Sequence, residues 1–352
     1  MMPSTALPLP SNRRLVLYLI VLAAVLPEAI TGSTPPAGWL NPFLVALLLW
    51  LYGSGVLVCR ELAIRWRTGW PGLLLLGAAY GIIEEGFTVK TIFDPSMPML
   101  GDLGWYGRFA GVNWVWTVWL MIFHAAFSIA FPIFLVEWRW PHLRGKPLLP
   151  TWGLHVAMFL LAGVAVFGYT AFTPYRAGVP ELAWALLTIA VLGWAAYRGW
   201  GARLWRAFPA GRMPRRWVFA AAGFAFFGLS FLVYALGPRL GGTPAVTFLE
   251  GGGLLAVALL IVRRASLRPD AERHIFAFVA GSMGMFALFD FILEIAGRTA
   301  SSAVGLGFIL LVVWLYRSHG PAPTPAAVDA PVPPRPADVR QPQEQAGEST
   351  RI

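Results

Sequence analysis

Ten apolar runs near the length of a membrane span constrain this chain more than any other feature. They lie at about 15–30, 42–59, 70–89, 113–137, 152–173, 181–198, 216–237, 244–262, 274–296 and 300–316. A hydrocarbon core of about 30 Å takes roughly 20 helical residues to cross. Lipid offers no partner to a free backbone N–H or C=O, so such runs are expected to be helices. The chain is 57% hydrophobic and only 12% charged over 352 residues, against about 25% charged in a soluble domain. The expected fold is therefore all-α: a polytopic membrane helix bundle of about ten transmembrane helices spanning residues 1–317. Residues 318–352 are rich in Pro and Ala with few large apolar side chains, which predicts a disordered cytoplasmic tail.

The net charge of +10 does not point to nucleic acid, because the Lys and Arg residues flank apolar runs instead of clustering on one motif. Sorted by the side each loop would occupy, 22 of the 27 fall on the side of the N-terminus and five on the other. Short loops rich in Lys and Arg stay inside, so both termini are expected in the cytoplasm, with a prokaryotic cell membrane as the location and lipid as the first partner. A basic start and a short apolar run also suit a signal peptide, but Pro27-Glu28 stands where small residues would lead to cleavage. The single Cys59 excludes a disulfide framework and a cysteine-based metal site.

Against this background the charges inside the spans stand out, because an ionised side chain in hydrocarbon loses its water. They are Glu28, Glu84, Glu85, His124, Glu250, Asp290 and Glu294. In the expected topology all lie in the middle-to-outer layer, which predicts one polar cavity. Consecutive helical residues diverge by about 100°, so Glu84 and Glu85 are expected to point in different directions. His124 and Ser128, four apart, share a helix face. Glu28, Glu250, Glu294 and Lys90 lie near span ends, where reaching out to the interface is the simpler expectation. The loop at 90–112, with Phe93, Trp105, Tyr106 and Phe109, is expected to be an interfacial aromatic belt, or else a lid over the cavity.

Glu84-Glu85 on one span, His124 on the next and Asp290 on a late one resemble the CAAX prenyl protease and bacteriocin-processing (CPBP, or Abi) family of intramembrane proteases. Its pattern is EExxxR, then FxxxH, then HxxxN or HxxxD. Here Val89 stands at the Arg position with Lys90 one residue later, Leu120 at the Phe, and Phe286 at the first His of the last motif. The resemblance implies a hydrolase with Glu84, Glu85, His124 and Asp290 as catalytic residues, acting on a transmembrane or prenylated peptide.

The residues themselves allow such chemistry. A carboxylate can take a proton from water while an imidazole polarises the carbonyl. A divalent metal such as zinc, held by Glu, His and Asp, is an alternative. A secondary transporter, a non-catalytic scaffold and a lipid-modifying enzyme are the competing readings. The scaffold predicts that every buried polar group is already paired and that no cavity exists.

Overall fold

The computed structural model describes residues 11–201, 203, 213–266 and 271–318. The tail expected from residue 318 lies, from 319 onward, outside the described residues. Ten helices follow one another among the described residues. They are α1 (Asn12–Glu28), α2 (Pro42–Arg65), α3 (Gly69–Ile82), α4 (Trp114–Arg139), α5 (Thr151–Ala171), α6 (Val179–Tyr197), α7 (Arg216–Leu236), α8 (Pro244–Ser266), α9 (Glu272–Ile295) and α10 (Ser301–Arg317). Each matches one apolar run of the sequence, and the chain is an all-α membrane helix bundle. Seven of them, α2 and α4 to α9, are long and apolar enough to cross a membrane. The other three are shorter: α1 and α10 have 17 residues each, and α3 has 14 before it continues as the six-residue π turn Ile83–Thr88.

Local chemistry sets the helix starts. The Asn41 side chain accepts from the backbone N–H of Phe43 and Leu44, with Pro42 opening α2. Asn113 accepts from Trp116 N–H at the start of α4. Both satisfy donors that a helix N-terminus otherwise leaves free.

Helix α2 runs six residues past its expected end at 59, because Arg60 and Glu61 are charges that a neighbouring segment neutralises. The Arg60 guanidinium donates to Glu137 Oε1 on α4 at 3.0 and 3.2 Å and to the carbonyls of Leu143 and Lys146. Glu61, fully buried, accepts from the N–H of Leu148 and from Arg65. Arg144 completes the group by pairing with Glu272 at the start of α9.

Two apolar cores flank α4. One joins α1, α2, α3 and α5 through residues such as Leu19, Leu51, Leu76 and Leu161. The other is aromatic and joins α4 to α7 and α9. There Phe127 meets Phe131, Phe227 and Phe286 with ring centroids 4.9 Å apart. Edge-to-face rings at this spacing add about 0.5–1.5 kcal/mol per pair beyond burial. Small residues bring the helices together, as is usual where lipid supplies no hydrophobic drive between helices. On α3, a Cβ on Gly77 would stand 2.7 Å from the Ala125 backbone, and one on Gly81 would stand 3.2 Å from His124 Cβ. That close approach is what sets the end of α3 beside the middle of α4.

Candidate functional site

Helices α3 and α4 each change geometry at the residues singled out above. After Ile82 the chain takes a π turn over Ile83–Thr88, and α4 does the same over His124–Ala130. A π turn spreads the helix by one residue and re-aims its side chains, and such turns recur at functional sites. Here the widened turn overturns the expected divergence of Glu84 and Glu85. Both carboxylates face the cavity and both reach the same imidazole. His124 Nε2 lies 3.1 Å from Glu85 Oε1, and Nδ1 lies 3.2 Å from Glu84 Oε2. Nδ1 also lies 2.8 Å from the Ser128 hydroxyl, one turn on. Tyr80 and Phe123 pack edge-on against the ring.

The cluster extends to two further elements. The Tyr52 hydroxyl on α2 lies 2.5 Å from Glu84 Oε1 and 2.6 Å from Glu28 Oε1 at the end of α1. Thr34 donates to the other oxygen of Glu28 at 2.6 Å. Glu28 therefore does not reach for the interface, as its place near a span end predicted, but belongs to the site. A phenol has one hydrogen and donates to one of its two carboxyl neighbours at a time, so Tyr52 couples Glu28 to Glu84. On the far side Thr91 donates to Glu85 Oε2, and Trp116 Nε1 donates to Thr91 at 3.0 Å. Two carboxylates thus meet one imidazole, a third is joined to them through Tyr52, and Glu84 Oε2, although buried, has no hydrogen-bond partner among the described residues.

These groups form the polar wall of a cavity of about 620 Å³. Much of the rest of the lining is aromatic: Trp116, Trp119 and Phe123 of α4, Phe231 and Tyr234 of α7, Phe286 and Phe289 of α9. Residues Pro98 to Leu103 of the 89–113 connection cover part of it, with Asp102 and Arg239 among the lining. The connection is a folded cover and not simply a belt of aromatic side chains. Phe93 is fully buried while Trp105 and Phe109 are exposed. Arg108 ties Phe93, Gly104 and Gly111 carbonyls together, across the short antiparallel pair β1 (Arg108–Phe109) and β2 (Val112–Asn113).

Other expected residues lie elsewhere. Asp290 is buried on α9 with neither carboxylate oxygen hydrogen-bonded, beside Gly305 of α10, and it does not line the cavity. The structure does not bring it to Glu84, Glu85 and His124, because its side chain turns to the α9–α10 seam. Lys90 does not reach the interface either. It is fully buried, and its Nζ donates to the Tyr169 and Thr173 carbonyls at 2.9 and 3.1 Å, closing the C-terminal end of α5. It makes no contact with the glutamates. Glu294 accepts from the Ser302 N–H and hydroxyl, capping α10. Glu250 is exposed on α8, outside the cavity.

Sequence reasoning missed Tyr52, Thr34 and Thr91. Tyr52 sits among small residues, Gly53-Ser54-Gly55, which signal close packing but not a partner. Glu84, Glu85 and His124 also form a group whose ligand atoms lie within 4.8 Å of one another.

A family model described as an uncharacterized membrane protein family matches residues 17–332, and the chain belongs to that family. No curated protein and no solved structure matches it.

Proposed function

With that membership as premise, we propose that the chain is a membrane-embedded hydrolase cleaving a transmembrane or lipid-linked peptide. One observation carries the reading: two consecutive glutamates converge on a single imidazole in a cavity otherwise lined largely by aromatic side chains. A scaffold would pair its buried polar groups and leave no cavity, so it fits poorly with the unpartnered Glu84 oxygen and the 620 Å³ space.

In this reading, the attacking water stands in the cavity beside Glu85 and His124, both of which line it. Glu85 takes its proton as the oxygen attacks the scissile carbonyl. His124, held by Ser128, stabilises the charge that develops on the carbonyl oxygen. Glu84, linked to Glu28 by Tyr52, hands a proton to the leaving amine. The aromatic wall receives the apolar part of the substrate. The resemblance to the CPBP family supports the roles of Glu84, Glu85 and His124, while Asp290 has no part in this scheme. The charge bias of the loops supports cytoplasmic termini and a cavity facing the outer side of a prokaryotic cell membrane.

The test is cleavage of a library of single-span and prenylated peptides by the purified chain, beside Glu85→Gln and His124→Ala. Cleavage by the parent, reduced about 100-fold or more in both variants, is the expected result. No cleavage, with both variants folded, would move the reading to a transporter.

A further inference from the structure

We propose that Tyr52 and Glu28 are positioning residues that aim Glu84 at the Nδ1 edge of His124, separately from the contacts that aim Glu85 at the Nε2 edge. The inference deepens the hydrolytic reading and rests on it for its kinetic half. Glu84 stands at the start of the π turn Ile83–Thr88, where the α-helical period no longer dictates the direction of a side chain. Its two oxygens have unlike surroundings. Oε2 faces Nδ1 at 3.2 Å and accepts no hydrogen bond, while Oε1 lies 2.5 Å from the Tyr52 hydroxyl. The direction of the carboxylate is therefore set from the Oε1 side.

Tyr52 is suited to that work. A phenol turns about only two side-chain bonds, and this one is 2% exposed. The small residues beside it, Gly53 and Gly55, clear the space that fixes its surroundings. A Cβ on Gly53 would stand 2.8 Å from Ile20 of α1, and one on Gly55 would stand 2.1 Å from the Tyr80 ring. Gly53 thus lets α1 close on α2, and Gly55 admits Tyr80, whose ring lies 6.3 Å from that of Tyr52. The approach of α1 brings Glu28 Oε1 to 2.6 Å from the phenol oxygen, and Thr34 donates to Glu28 Oε2 at 2.6 Å.

Glu85 is held by a different set of groups. Thr91, in the connection between α3 and α4, donates to its Oε2, and Trp116 Nε1 donates to Thr91 at 3.0 Å. Neither side chain belongs to the first set. The imidazole consequently meets two carboxylates aimed from two directions: from α1 and α2 at Nδ1, and from the covering connection and α4 at Nε2. Supporting groups of this kind keep a site within the narrow geometry that catalysis needs.

The test combines turnover with ¹⁵N NMR of the ring nitrogens of His124 in the full-length chain in detergent, its signals identified among the five histidines by His124→Gln. Tyr52→Phe is expected to move the Nδ1 signal and Thr91→Val the Nε2 signal, since each nitrogen reports the hydrogen bonds around it. In peptide cleavage, Tyr52→Phe lowers kcat about tenfold or more with KM within about twofold, and its melting temperature stays close to that of the parent. Glu28→Gln keeps parent-like turnover, because its amide donates to the phenol oxygen and leaves the phenol hydrogen to Glu84, whereas Glu28→Ala behaves as Tyr52→Phe does. An unmoved Nδ1 signal in Tyr52→Phe, or a Tyr52→Phe chain that turns over like a cleaving parent, overturns the proposal. Should Tyr52→Phe fail to fold, Glu28→Ala against Glu28→Gln decides by the same two readouts. A parent that cleaves nothing sinks the hydrolytic reading and leaves the positioning to be judged by the Nδ1 signal alone.

Discussion

Helices α2 and α4 each carry two buried polar clusters, and the clusters are built on opposite principles. Around Arg60, every charge has an opposite one. Arg60 and Arg65 meet Glu61 and Glu137, Arg144 meets Glu272, and spare donors are spent on backbone carbonyls of the segment after α4. About 12 Å back along α2, at 1.5 Å per residue, Tyr52 belongs to the other cluster, where Glu84 and Glu85 share one imidazole and Tyr52 joins Glu28 to Glu84. The first has no surplus, and Arg60, Glu61 and Glu137 lie outside the cavity lined by Glu84, Glu85 and His124. The second sets three carboxyl groups against one imidazole, with an oxygen that accepts no hydrogen bond, beside a cavity. A buried ion pair that is complete holds its segments in place, and breaking it is costly. A buried cluster left incomplete is destabilising in itself, so its persistence points to work done on something that enters.

This contrast can be broken most readily at Arg60. Arg60→Ala strands Glu137 and Glu61 without their guanidinium, and we expect a loss of about 3–5 kcal/mol, read as a lower melting point in detergent. A variant that melts like the parent would show that the balanced cluster is dispensable.

A smaller effect is expected where α3 meets α4. Gly77→Leu forces a side chain against the Ala125 backbone and separates the helices that carry Glu84 and His124. Overpacking of this kind costs about 1–3 kcal/mol, and hydrolysis should fall further than the melting point suggests, because the site spans the same seam. Equal loss at a remote glycine such as Gly284, which has open space beside it, would argue against this seam as the positioning element.

The smallest effect belongs to Asp290. It lies outside both clusters and lacks hydrogen bonds, so Asp290→Asn should leave hydrolysis unchanged and stability the same or higher by about 1 kcal/mol. A large fall in cleavage would return Asp290 to the site.

Much of the architecture was legible in the residues. Each apolar run became a helix because lipid leaves the backbone no other partner, and the buried charges announced a polar cavity by their cost. Pairing was less legible. Glu28 read as an interfacial residue because a glutamate beside Pro27 near a span end says nothing of Tyr52, 24 positions away. The angle between Glu84 and Glu85 was misjudged because an α-helical period was assumed where the chain makes a π turn. Lys90 looked like a snorkelling lysine and instead closes α5, a role set by tertiary approach. Asp290 was drawn into the site by depth and by the resemblance to the third motif of the protease family, and neither tells which seam a side chain enters.

The most direct test sets stability beside activity in one preparation: the melting temperature and peptide cleavage of Glu85→Gln against the parent, with Arg60→Ala as reference. The account predicts a Glu85→Gln chain that melts at or above the parent, because a carboxyl group in excess of the one imidazole has been removed, and that cleaves about 100-fold more slowly or less. A variant that melts as low as Arg60→Ala would contradict it, and would make the carboxylate cluster another structural joint.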